Sequence, residues 1–162
     1  MNLAYRIAFA AALVAGATAA GAAGLVEVSF PHKDPYIDAG RTASEIARTE
    51  RALEGHLKHL APALAGGQTL HVEVLDIDLA GNIELRRGTE LRIVRDAADW
   101  PRITLRYRLE SGGELLKSGE EALADKNYRI TLPHRDASAE LPYEKHLLDT
   151  WFHERFAHPQ PQ

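Results

Sequence analysis

The segment Arg102-Ile103-Thr104-Leu105-Arg106-Tyr107-Arg108-Leu109-Glu110-Ser111-Gly112-Gly113-Glu114 decides the fold. Ile103, Leu105, Tyr107 and Leu109 alternate with Thr104, Arg106, Arg108 and Glu110, which in an extended chain puts every apolar side chain on one face and every polar one on the other. Ser111-Gly112-Gly113 then predicts a tight turn, because glycines supply the positive φ angles that a hairpin needs. The returning residues 114–123 are charged and carry Gly119, as suits an edge strand guarded against pairing with other chains. A hairpin with one dry and one wet face belongs to an antiparallel sheet covered on one side only.

Working outward, residues 69–79 are the next strand, but their phase changes. Leu70, Val72 and Val74 share one face, and Leu75, Ile77 and Leu79 the other, so a bulge is expected near Val74. Val26, Val28 and Phe30 alternate with Glu27 and Ser29 in a short first strand that Pro31 and Pro35 end. Thr42-Ala43-Ser44-Glu45 has capping-box spacing and opens a helix with an apolar stripe of Ile46, Leu53, Leu57, Leu60 and Leu64; Pro62 and Gly66-Gly67 end or kink it. Pro142 opens a second helix, with Leu148, Trp151, Phe152 and Phe156 inward. This layout predicts an α+β fold, a two-layer sandwich in which two helices pack on an antiparallel-rich sheet.

The chain has 162 residues, no cysteine and a formal net charge of −4, which excludes a generally basic nucleic-acid binder. Residues 1–23 hold 11 alanines and one charged side chain, Arg6. Arg6, the apolar run 7–15 and the small-residue motifs Ala17-Thr18-Ala19 and Ala20-Gly21-Ala22 predict a signal peptide cleaved between 19 and 23. The apolar run is shorter than the roughly 20 residues a membrane span needs, so no anchor is expected in the mature form. The remaining domain, 24–157, is one net charge more acidic than the whole, and 158–162 is a polar tail. Without cysteine there is neither a lipoprotein anchor nor a disulfide. The expected address is the periplasm.

Asp76-Ile77-Asp78-Leu79-Ala80-Gly81, Trp100-Pro101-Arg102-Ile103-Thr104-Leu105-Arg106-Tyr107, Gly119-Glu120-Glu121-Ala122-Leu123-Ala124-Asp125 and Tyr143-Glu144-Lys145 with Asp149, Trp151 and Phe152 occur in that order. In these strings the chain resembles the bacterial family of unknown function DUF3016, over about residues 26–156. The resemblance implies a small exported protein of Gram-negative bacteria without an assigned activity. One departure is Lys126, where an apolar residue is expected before Asn127-Tyr128.

Candidate chemistry is sparse. Asp76 and Asp78, two apart on a strand, share a face and could offer hard oxygen ligands to a divalent cation. His146, Asp149 and His153 have helical spacing, and His56 and His59 form another pair; these are the candidate metal residues, although no cysteine pair or His-Glu-x-x-His signature accompanies them. No Gly-x-Ser-x-Gly string, triad or phosphate loop occurs, and Glu120, Glu121 and Asp125 have no sugar cleft around them. No motif implies a cofactor. Arg86, Arg87, Arg92, Trp100 and Arg102 lie in an arginine-rich stretch that also includes Arg95, Arg106 and Arg108, and arginine beside an aromatic suits an anionic partner. The expected function is therefore a noncatalytic binding or envelope-associated module whose partner is an anionic envelope component or a periplasmic protein; the alternative is a metal-binding protein or metal-dependent enzyme.

Overall fold

The computed structural model describes residues 23–31, 33–94, 99–132 and 140–156; the expected leader, the polar tail and Arg95 lie outside them. In chain order the elements are β1 (Leu25–Ser29), α1 (Ala43–His59), a 3-10 turn (Ala61–Ala63), β2 (Gln68–Asp78), β3 (Asn82–Arg86), β4 (Thr89–Ile93), β5 (Arg102–Ser111), β6 (Glu114–Ala124), the short α2 (Tyr128–Thr131) and α3 (Pro142–Phe156). The main sheet has the order β1-β2-β5-β6, with β1 parallel to β2 and the other pairs antiparallel. β3 and β4 form a separate two-stranded arm. The fold is α+β.

Period-two patterning builds the dry face of the sheet. Leu70, Val72, Val74, Ile103, Leu105, Tyr107 and Leu109 are buried together with Leu53 and Leu57 of α1 and Leu148, Trp151, Phe152 and Phe156 of α3. The register of β2 against β5 shifts between Val74 and Asp76. Leu75 is the extra residue, and its insertion lets Ile77 continue the dry face while Asp76 and Asp78 point outward opposite Thr104 and Arg102. Ser111 pairs with Glu114 across Gly112 and Gly113, both at positive φ, and β6 is an outer strand of the sheet. On the wet face Arg106 bridges Glu73 (3.0 Å) and Glu120 (2.8 Å), tying three strands together.

The start of α1 is fixed by local chemistry. The Thr42 hydroxyl accepts the Glu45 amide at 3.2 Å, while Glu45 Oε2 accepts the amides of Thr42 (3.0 Å) and Arg41 (2.8 Å). The helix stops at His59, three residues before Pro62, whose ring would meet the carbonyl of Lys58. The arm was not apparent in the sequence pattern. Arg87 and Gly88, both at positive φ, make its two-residue turn.

Candidate functional site

Most of the chemically distinctive residues meet at one end of the sheet, where β2 finishes, β5 begins and β6 finishes. The bulge brings Asp78 directly opposite Arg102, whose Nε and Nη2 donate to Asp78 Oδ2 at 2.8 and 2.7 Å. The loop ahead of α1 adds Asp38 beside this strand end: its amide donates to the Ile77 carbonyl (2.9 Å) and its carbonyl accepts the Leu79 amide (3.0 Å). Anchored this way, the Asp38 carboxylate meets Arg92 of β4 at 2.9 Å. A second nitrogen of Arg92 donates to the Gly81 carbonyl at 2.7 Å. Arg92 therefore turns inward and fastens the arm to the sheet.

From α3, the buried Glu144 places Oε1 2.7 Å from the Ala80 amide, which donates to it. Burial pushes the Glu144 carboxyl above its ordinary range; the amide hydrogen bonds and Arg92 oppose that shift in part, and Asp38 adds to it. Nearby, Tyr128 donates to the buried Asp99 at 3.0 Å, and burial followed by that hydrogen bond raises the phenol's pKa. Asp38 and Glu144 were not singled out from the sequence as site residues. An acid in the first turn of a helix ordinarily faces water, so nothing in the pattern marks Glu144 as buried.

Trp100 lies at the same end, half-buried, with the guanidinium of Arg102 5.1 Å and the ammonium of Lys126 5.4 Å from its ring. Lys126, the departure from the resemblance, thus has a contact of its own. The five arginine-region candidates do not form one patch. Arg92 faces inward, Trp100 and Arg102 belong to the stack, and Arg86 and Arg87 stand at the arm tip, with Arg86 3.2 Å from Glu84.

The candidate metal residues are also distributed. Asp76 accepts the Ile37 amide at 2.9 Å, and Asp78 is held by Arg102. Asp149 is 2.7 Å from Nε2 of His56, joining α3 to α1, while His146 is half-buried and His59 and His153 are exposed. Among the described residues no group of three or more His, Asp or Glu side chains is placed to hold a metal ion.

A cavity of about 240 Å³ lies between the arm and the start of α1. Leu79 and Ile83 give it apolar surface, and Glu45, Arg48, Thr49 and Glu90 give it polar groups. Glu90 of this lining is paired with Arg41.

A family model described as "Protein of unknown function (DUF3016)" matches residues 24–154. The chain belongs to the DUF3016 family. No curated protein and no solved structure matches it. The strings on which the DUF3016 resemblance rests converge in space: Asp78 to Gly81, Trp100 to Arg102, Asp125 and Glu144 all lie at the end of the sheet that carries the arm. At the opposite end of the sheet, among the described residues, lie the β5–β6 turn, the start of β1 and the loop between the 3-10 turn and β2.

Proposed function

We propose that the protein is an exported periplasmic, noncatalytic module, cleaved between residues 19 and 23, whose domain at 24–157 associates with the anionic phospholipid of an envelope membrane. The observation that carries this reading is the arm. Residues 85–91 are all exposed, Arg86 and Arg87 stand at the tip, and Leu85 and Leu91 lie 71% and 46% exposed on its two faces. Cations flanked by exposed leucines match a surface of phosphate headgroups over acyl chains. Among the described residues no helix is long and apolar enough to cross a membrane.

Vesicle flotation tests it. The mature protein should float with phosphatidylglycerol-containing vesicles, remain behind with pure phosphatidylcholine, and detach as salt screens the headgroups. Reversing Arg86 and Arg87 to glutamate should abolish flotation. Equal flotation of that variant, or none by the wild type, would overturn the proposal.

A further inference from the structure

We infer that the cleft between the β3–β4 arm and α1 is a binding site for a small monocarboxylate with a short apolar body. Most polar groups around the cleft are already committed. Arg92 is held by Asp38 and by the Gly81 carbonyl. Glu90 is paired with Arg41, and Glu45 is held by two backbone amides, which with the Thr42 hydroxyl and Arg41 keep it below the usual carboxylate range and ionised. Two groups remain. Arg48 and Thr49 both line the cleft, and no side-chain hydrogen bond or ion pair involves either of them among the described residues. Thr49 is only 6% exposed, so a ligand in the cleft would meet it from that side alone.

A guanidinium fork beside a hydroxyl suits a carboxylate, which accepts two donors in one plane. Leu79 and Ile83 offer the apolar wall for the rest of the ligand. The carboxylates of Glu45 and Glu90 in the lining disfavour a doubly charged head such as phosphate, since each added negative charge meets theirs across the cleft. At about 240 Å³ the cleft is smaller than the roughly 300–1,000 Å³ of ordinary drug-sized pockets, which restricts the ligand to a few carbons. Pinned by Arg92 at its base and by Glu90 along its side, the arm provides one wall without having to close.

The test is a titration of the mature protein with hexanoate, inorganic phosphate and hexylamine, followed by amide chemical shifts. Hexanoate should perturb residues of the cleft and bind more tightly than phosphate or hexylamine. Arg48→Gln should weaken hexanoate by about tenfold or more and Thr49→Val by a smaller factor, as expected for a charge-assisted and a neutral hydrogen bond. Arg51→Gln, on the same helix but outside the cleft lining, should leave hexanoate binding unchanged. Shifts that miss the cleft, phosphate or hexylamine binding at least as tightly as hexanoate, an Arg48→Gln variant that titrates like the wild type, or an equal loss in Arg51→Gln would each overturn the inference. It is independent of the membrane reading, because the vesicle assay depends on the arm tip and this titration on Arg48.

Discussion

Glu144 on α3 accepts a hydrogen bond from the Ala80 amide at 2.7 Å with only 2% of its surface exposed. This contact ties the first turn of the last helix to the base of the arm. Burial raises the Glu144 pKa above its ordinary 4.5, so the native state favours the protonated acid. The stabilisation is therefore complete below the unfolded value near 4.5 and is lost as pH rises through the higher native value. Glu144→Gln keeps an acceptor for Ala80 and removes the titration. Its melting temperature relative to wild type should climb steadily from acid to neutral pH; a constant difference would show that Glu144 is not the titrating group.

Glu45 works in the opposite direction. Its carboxylate is held by the Arg41 and Thr42 amides, which lower its pKa, so its contribution is present above the unfolded pKa and lost as pH falls through the native one. Thr42→Ala removes the reciprocal half of the capping box and should cost about 1 kcal/mol. In chemical denaturation between pH 5 and 7 the loss should appear in full. Because Arg41 retains its hydrogen bond to Glu45, the acid-side decline in stability should persist in the variant.

The main sheet and both long helices were legible because their causes are local and periodic. The strict alternation of residues 103–109 has one solution in a half-covered sheet, and the phase change after Val74 is resolved by a single inserted residue. The arm was less visible. Ile83 and Leu85 before Arg87-Gly88 pair with Arg92 and Glu90, while Leu91 and Ile93 after it fall on the opposite face, so the arm shows no shared apolar face, and Arg-Gly is a weaker turn signal than Asn-Gly. The inward turn of Arg92 depends on Asp38, which lies 54 residues earlier. Spacing along the chain carries no information about such a pair, and the same holds for His56 and Asp149, 93 residues apart.

The base of the arm should be intolerant of any side chain at Gly81. Its φ is +82°, and an added Cβ would lie 2.7 Å from the Ile93 carbonyl oxygen. Gly88, at the tip, has φ +80° but open space around it. Gly88→Ala should therefore cost only the left-handed backbone strain, about 1 kcal/mol, while Gly81→Ala adds a backbone clash and should exceed it, at about 2–3 kcal/mol. Hydrogen exchange provides the local readout: amides of β3 and β4 should lose protection in Gly81→Ala and retain most of it in Gly88→Ala.

The outer strand depends on a smaller fit. Gly119 is the register partner of Tyr107, and an added Cβ would sit 3.1 Å from the Tyr107 ring and 3.2 Å from its hydroxyl. Replacing glycine in a strand normally favours the strand by reducing the freedom of the unfolded chain. Here the ring would have to move by a few tenths of an ångström, and it is held edge-on by Trp151 at 5.8 Å and Phe156 at 5.4 Å. Both aromatic partners are buried on α3, so the displacement would pass into the core rather than into water. Overpacking should outweigh the backbone gain, and Gly119→Ala should destabilise by about 1 kcal/mol, with Gly119→Val costing more. Phe at position 107 leaves the ring in place but removes the hydroxyl, one of the atoms the new Cβ would meet. The double variant Gly119→Ala with Tyr107→Phe should consequently recover part of the loss in a double-mutant cycle, and strictly additive effects would place the cost of Gly119→Ala elsewhere.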